Sequence, residues 1–299
     1  MGTLYELGDE EGVLPVGQQM MKLAGGRPGK AEEARYLAYD QQIYNLQAAR
    51  AGFLAEFTAT GGTSSPGGVG YEVLVIAQLD VQLHEVDTAR LRLTTAVWDP
   101  KSHPDVAQAY YVQALLAEEI GDLSKAAKYW DDYAGVYADP VVAMSIPASM
   151  CWAAPTYQKT AQPAKADAAL EAPMKVIGIG TYIDCYRFKG DVLELRGDWA
   201  GAQEWYAKAV KLGPSIPSGY YSWGMALAKH GNLDGAAAKF KDANQKGPHW
   251  ADPIKAWGDV LAKQGHTKEA IVKYDEALKY APNWKELKEA REAAAKHAK

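Results

Sequence analysis

The sequence lacks several features that would place it in a common functional class. No apolar run approaches the 18 residues of a membrane-spanning helix, and the first residues have neither the basic nor the apolar region of a signal peptide. The formal net charge of −5 argues against a nucleic-acid partner, because phosphate binding favours an excess of basic residues. We therefore expect a protein that neither inserts into membranes nor binds nucleic acid.

Residues arranged for catalysis or metal binding are also missing. The six histidines are scattered, and none has the spacing of a paired metal ligand. A glycine-rich loop at 25–30 resembles a phosphate-binding loop, but Ala24 and Ala31 stand where that motif has glycine and serine or threonine. The sequence thus predicts that the protein is not an enzyme and uses no cofactor or metal ion.

Three consecutive copies of a 34-residue pattern occupy residues 183–282. Each copy repeats two glycines, two alanines, an aromatic residue and a proline at the same phase, and the copies align without a gap. The repeated positions are Gly190, Gly224 and Gly258; Gly197, Gly231 and Gly265; Ala202, Ala236 and Ala270; Tyr206, Phe240 and Tyr274; Ala209, Ala243 and Ala277; Pro214, Pro248 and Pro282.

This pattern predicts a pair of antiparallel helices in each copy. The first glycine lets a neighbouring helix approach closely, and the second ends the first helix in a left-handed conformation that glycine adopts without steric cost. Asp198 and Asn232 follow that glycine and suit the N-cap of the second helix. A single hairpin cannot bury its own apolar stripe, whereas a stack of hairpins can.

The pattern resembles the tetratricopeptide repeat, whose signature is W-x2-L-G-x2-Y, then A-x3-F, then P. The last copy carries Trp257, Gly258 and Leu261 at these positions, and the first copy departs from them with Lys189 in place of a large apolar residue. The resemblance implies an all-α, right-handed superhelix (an α-solenoid) of antiparallel helical hairpins with a concave groove. We also expect a bacterial source.

The sequence predicts four segments, one of which contains the regular repeats. Residues 1–68 form an N-terminal helical region with a Gly/Ser-rich linker, which could contain degenerate repeats, and residues 69–182 form degenerate hairpins. Residues 183–282 form the three regular repeats, and residues 283–299 form a capping helix with a Lys/Glu-rich outer face. Prolines between 147 and 173 predict a distorted or shortened hairpin at the end of the second segment.

The two cysteines, Cys151 and Cys185, lie one repeat period apart. They could be separate buried thiols, or a disulfide bond that would indicate an oxidising compartment. Helices stacked at about 9 Å hold Cα atoms farther apart than the roughly 4.4–6.8 Å of a disulfide, so a bond requires local distortion. The protein is accordingly expected to be soluble and cytoplasmic or, with the bond, periplasmic.

The resemblance also implies a binding surface, because fixed positions of each first helix line the concave groove in this family. The candidate groove residues are Tyr111, Glu118, Arg187, Asp191, Glu194, Tyr221, Met225, Lys229, Lys255, Asp259 and Lys263. Carboxylates dominate upstream and lysines downstream, with Tyr221 and Met225 between them, so we expect basic residues of a ligand to face the upstream repeats. The family's carboxylate clamp is not expected, because Asp191 stands where it needs asparagine.

Three hypotheses for the function follow. The first is a non-catalytic protein–protein interaction scaffold that binds a protein or peptide segment in the groove. The second is a sensor or regulatory module of a larger bacterial signalling or transcription-regulatory protein, motivated by the glycine-rich linker and the abrupt N-terminus. An enzyme that uses the irregular residues 1–68 is the least supported, because no constellation of reactive residues occurs there.

Overall fold

The computed structural model describes residues 45–59, 69–95, 103–138, 148–177 and 183–297. Within these ranges the chain forms α-helices, one short 3-10 helix and no strand. The predicted all-α class and helical-hairpin architecture are confirmed. Most of the predicted segment 1–68, including the glycine-rich loop, lies outside the described residues.

Two compact units divide the chain, one formed mainly by residues 49–179 and the other by residues 180–299. We call them the N-terminal and the C-terminal unit. Among the described residues, no helix is both long enough and apolar enough to cross a bilayer.

The N-terminal unit contains three successive helical hairpins, and one helix precedes them. In chain order its elements are α1 (Leu46–Ala59), α2 (Val69–Gln82), α3 (Val86–Thr95), α4 (His103–Glu119), α5 (Leu123–Tyr137), a 3-10 helix (Ala148–Trp152), α6 (Ala153–Lys159) and α7 (Pro163–Ile177). The pairs α2/α3, α4/α5 and α6/α7 pack as hairpins. The prolines between 147 and 173 predicted a distorted or shortened hairpin; α6 has only 7 residues, whereas α7 continues through Pro173.

A buried ion-pair network attaches α1 to the first hairpin. The Asp80 side chain is fully buried and lies 3.0 Å from the Arg50 guanidinium and 2.6 Å from that of Arg92. Arg50 also contacts Glu85 at 2.8 Å. A buried carboxylate is tolerated when cations compensate it, and here two guanidinium groups do so.

The C-terminal unit contains the three regular hairpins and the cap. Its helices are α8 (Ile183–Leu195), α9 (Trp199–Leu212), α10 (Pro217–Lys229), α11 (Leu233–Lys246), α12 (Ala251–Lys263), α13 (Thr267–Ala277) and α14 (Lys285–His297). The hairpins are α8/α9, α10/α11 and α12/α13, and α14 packs against α12 and α13. Trp284 and Leu287 at the start of the cap are buried in the core of the last repeat.

Both glycine positions act as the repeat pattern predicts. A Cβ atom at Gly224 would lie 2.7 Å from a ring carbon of Phe240, so only glycine lets the two helices approach this closely. Gly231 adopts φ +79° after the first helix, and the next residue, Asn232, accepts a hydrogen bond from the Gly235 amide at 3.0 Å. The predicted C-cap and N-cap are therefore confirmed in this hairpin.

At the position of Lys189, the first repeat exchanges residue types between its two helices. In the later repeats the ammonium of Lys239 lies 4.3 Å from the ring centre of Trp223, and that of Lys273 lies 4.1 Å from Trp257. The first repeat has lysine at the tryptophan position and Trp205 at the lysine position. The first repeat thus has one lysine and one tryptophan at these two positions, on the opposite helices, and the ammonium that lies over Trp205 is that of Lys208, at 4.4 Å.

Candidate functional site

The first helices of the regular repeats, α8, α10 and α12, lie side by side within the C-terminal unit. Each places two of the candidate residues one turn apart, at i and i+4, so that both lie on the same side of the helix. We call this surface the first-helix face. Its defining residues are Arg187, Asp191, Tyr221, Met225, Lys255 and Asp259.

In the two outer repeats the aspartate of this face is a partner of a buried tyrosine. The Tyr206 hydroxyl donates to Asp191 Oδ1 at 2.7 Å, and the Tyr274 hydroxyl donates to Asp259 Oδ1 at 2.9 Å. Burial and the adjacent carboxylates raise the pKa of both tyrosines above the ordinary value. Asp259 also pairs with Lys255 at 2.9 Å. These carboxylates therefore have fixed structural partners on their own repeat.

The middle repeat replaces this polar pair with an apolar one. Phe240 stands where the outer repeats have tyrosine, and Met225 stands where they have aspartate. The three rings occupy the same place, because each lies 2.7 Å from the Cβ position of its own helix-packing glycine. Phe240 has no hydroxyl group that needs an acceptor, and position 225 carries a methionine that is 46% exposed.

Tyr221 extends the apolar surface of the middle repeat. Its ring lies 4.9 Å from that of Trp250, centre to centre, and 6.1 Å from that of Phe240. Trp250 precedes α12 directly and is half-buried. Tyr221 is one helical turn from Met225, so the two side chains form one patch, which we call the apolar patch.

The candidate charges at the ends of α8 and α10 pair with each other. Lys229 Nζ lies 2.8 Å from Glu194 Oε1, and His230 Nε2 lies 3.2 Å from the same oxygen. The imidazole of His230 stacks on the Trp199 indole, with ring centres 4.1 Å apart. Glu194 is 10% exposed and Lys229 is 63% exposed. The lysine can therefore reach a ligand, whereas the glutamate serves mainly as its counter-ion.

The two remaining candidate lysines differ in their surroundings. Lys255 is 18% exposed, pairs with Asp259 and places its ammonium 5.4 Å from the ring centre of Trp284. Lys263 is exposed and forms no ion pair with another described residue. A long-range attraction to an acidic ligand would therefore come from Lys263 and Lys229 rather than from Lys255.

Two candidate residues belong to the N-terminal unit and are largely buried there. The Tyr111 ring packs edge-on against Trp130 at 5.6 Å. Glu118 Oε1 accepts hydrogen bonds from the Trp130 indole at 2.7 Å and from the Thr156 hydroxyl. Burial raises the pKa of the Glu118 carboxyl, and these hydrogen bonds together with nearby Lys159 partly offset the effect. Both side chains have packing roles within their own unit.

Neither cysteine is a free thiol, since both are disulfide-bonded. The chain contains two cysteines, so the bond joins Cys151 to Cys185, in agreement with the disulfide alternative. Cys151 lies in the 3-10 helix Ala148–Trp152.

Metal chemistry has no support from the described part of the chain, which contains no cluster of three or more potential ligands. Sequence reasoning did not select Trp250, although an aromatic residue just before a first helix is well placed to flank the helix before it. It also did not connect Met225 with Phe240, although the aligned copies show both substitutions in the same repeat.

Comparisons with known proteins agree with the repeat architecture. A family model described as Tetratricopeptide repeat matches residues 74–140 and 189–249. No curated protein matches the sequence significantly.

Among solved structures, a tetratricopeptide repeat protein from Parabacteroides merdae is 14% identical, and the match covers 89% of this chain and 99% of that chain with a TM-score of 0.53. A thermophilic protein of this family from Thermus thermophilus is 17% identical over 63% of this chain and 98% of its own, with a TM-score of 0.49. Because both identities are low, the comparison concerns the fold alone, and only the first structure, with its TM-score of 0.53, supports a similar fold. The family match therefore shows that residues 74–140 and 189–249 carry tetratricopeptide repeats.

Proposed function

We propose that this protein is a non-catalytic scaffold that binds a segment of a partner protein on the first-helix face of its C-terminal unit. Proteins with this repeat generally serve as protein–protein interaction scaffolds. The observation that carries the proposal is the apolar patch of the middle repeat, where Met225 is 46% exposed between outer repeats whose equivalent positions are aspartates. An apolar anchor surrounded by polar groups is typical of an interaction site.

The composition of the patch favours recognition of an apolar side chain. Tyr221 presents a large ring with few rotatable bonds, and such residues are enriched among those that dominate binding energies. Met225 is unbranched and polarisable, so it adapts to ligands of different shape. Full burial of one leucine or phenylalanine of the partner would contribute about 1.5–3 kcal/mol. The patch can thus supply the central contact of a modest interface.

The experiment is a selection of random 12-residue peptides displayed on phage against the wild-type protein. Bound peptides are then measured against the triple variant Tyr221→Lys/Met225→Asp/Phe240→Tyr, which gives the middle repeat the residues of the third repeat. This variant should fold, because the tyrosine–aspartate pair it introduces already exists in Tyr274 and Asp259.

The matched control transfers the apolar residues to the third repeat with Lys255→Tyr/Asp259→Met/Tyr274→Phe. We expect the first variant to lose at least tenfold in affinity for the selected peptides and the control to retain the middle-repeat site. Peptides that bind the wild-type protein and the first triple variant equally would place the interaction elsewhere and refute the proposal.

The regulatory-module hypothesis uses the same surface in a different setting. It proposes that this chain is a sensor or regulatory module of a larger bacterial signalling or transcription-regulatory protein, and the complete reading frame and its neighbouring genes test it. The disulfide bond favours an oxidising compartment for either hypothesis, and fractionation of the source cells is the corresponding measurement.

A further inference from the structure

At the N-terminal end of the first-helix face, a carboxylate has one oxygen available. Asp184, in the first turn of α8, accepts both of its hydrogen bonds on Oδ1: from Arg187 Nε at 2.6 Å and from the Ser218 hydroxyl at 3.0 Å. Its Oδ2 accepts none from a described residue, and the side chain is 38% exposed. Asp184 is therefore held in place by its Oδ1, while Oδ2 of this partly exposed side chain has no described donor.

The contact with Ser218 fixes the distance from this carboxylate to the apolar patch. Ser218 begins the row of residues on α10 that continues through Tyr221 to Met225. Met225 lies seven residues after Ser218, which is two turns or about 10 Å along the axis. A ligand that spans the two points would run along α10, with one end at Asp184 and the other at the exposed thioether.

The charged atoms that a ligand meets at the two points differ in sign. At the Asp184 end, the Arg187 guanidinium is engaged by Asp184 Oδ1 and by the Ser222 hydroxyl, to which it donates at 3.3 Å, and Asp184 Oδ2 accepts no hydrogen bond from a described residue. Beyond Met225, the next turn of α10 carries Lys229, 63% exposed. A basic group of a ligand is therefore favoured at the Asp184 end and disfavoured at the Lys229 end.

We infer that the partner segment carries a basic side chain that binds Asp184 Oδ2 and, about 10 Å away, a large apolar side chain that packs on Tyr221 and Met225. This inference rests on the proposed function and specifies its ligand. In an extended segment three residues span this distance, and a polyproline-type chain returns to the same face at that spacing. In a helical segment the corresponding spacing is seven residues.

The test uses the peptides selected on phage, now synthesised with a fluorescein label and measured by anisotropy. We expect enrichment of arginine or lysine three residues from leucine, isoleucine, phenylalanine or methionine, or seven residues away if the peptides are helical. Replacement of the basic residue by alanine, and the protein variant Asp184→Asn, should each weaken binding about two- to fivefold. The two changes together should cost no more than either alone, because both remove the same contact.

Asp184→Asn keeps an oxygen for Arg187 and Ser218, so the fold is retained, and a thermal melt verifies this. The control Asp234→Asn removes a carboxylate from α11, the second helix of the middle repeat, and should leave the peptide affinity unchanged. Peptides that depend on the apolar patch but show no basic residue at these spacings, or bind Asp184→Asn as tightly as wild type, would overturn this inference and leave the proposed function standing. Peptides that are indifferent to the patch variant would overturn both.

Discussion

The exchange of a tyrosine–aspartate pair for a phenylalanine–methionine pair predicts a measurable coupling within the middle repeat. Phe240→Tyr alone places a hydroxyl group beside Met225 in a site where the ring is fully buried. A buried hydroxyl without a partner costs about 1–3 kcal/mol. Met225→Asp alone replaces a half-exposed side chain, so we expect a change of stability within about 0.5 kcal/mol.

Combining the two substitutions should recreate the hydrogen bond that measures 2.7 Å in the first repeat and 2.9 Å in the third. A hydrogen bond to a charged acceptor contributes about 1.5–3 kcal/mol. The double variant should therefore be close to wild type in stability, and the coupling energy should be stabilising by about 1.5–3 kcal/mol.

The assay is urea unfolding at pH 7, followed by far-UV circular dichroism for wild type, both single variants and the double variant. The cycle Tyr274→Phe/Asp259→Met provides a reference in a repeat where the pair is native and should give a coupling of the same sign and size. A coupling below about 0.5 kcal/mol in the middle repeat, with a normal value in the third, would refute the claim that the three rings are equivalent.

Three further predictions concern other parts of the chain. Deletion of residues 284–299 exposes the core of the last repeat, and a few hundred Å2 of exposed apolar surface corresponds to a loss of several kcal/mol of stability. Calorimetry should therefore show a lower Tm, and size-exclusion chromatography should show aggregation. A truncated protein that stays monomeric with an unchanged melt would contradict the role of the cap. Protein unfolded without reductant should show no titratable thiol, and reduction of Cys151–Cys185 should lower stability by about 3–4 kcal/mol; two free thiols in protein purified under oxidising conditions would contradict the bond. Burial raises the pKa of the Glu118 carboxyl in the folded protein above its ordinary value of 4.5. The stability that protonated Glu118 contributes is therefore fully present below pH 4.5 and is lost as the pH rises through the folded-state pKa. Glu118→Gln should remove this part of the pH dependence of unfolding, and a stability profile that is the same in the variant and the wild type would contradict the prediction.

The turns and caps of the regular repeats could be predicted because they depend on local geometry. The left-handed turn after each first helix requires no knowledge of distant residues, and glycine at this phase signals it. In the N-terminal unit, Gly121 forms the same turn between α4 and α5 at φ 77°, whereas His84 at φ 59° and Ala161 at φ 58° form it in the other two hairpins. Those two positions gave no signal, because the pattern marks this turn by glycine alone.

The contacts of the candidate site depend on side-chain positions across helices, and for this reason much of the site could not be predicted. Lys229 and Glu194 belong to neighbouring repeats, and the alignment placed both on one surface without showing that they pair. Likewise, the link between positions 225 and 240 requires knowing that the para position of the ring reaches the residue directly after the packing glycine, as the Tyr206 and Tyr274 hydroxyls do at Asp191 and Asp259. The sequence therefore indicated the surface, and packing determines which charges on it remain available.

The most direct test of the proposed binding surface is the NMR signal of the Met225 methyl group in protein labelled with 13C at the methionine methyl position. The variant Met225→Leu assigns the signal, and the half-buried Met150 and Met174 of the N-terminal unit serve as internal references in the same spectrum. On titration with a peptide selected on the wild-type protein, we expect the Met225 signal to shift until saturation while the two reference signals stay in place. A Met225 signal that does not move when the peptide is fully bound would contradict the account.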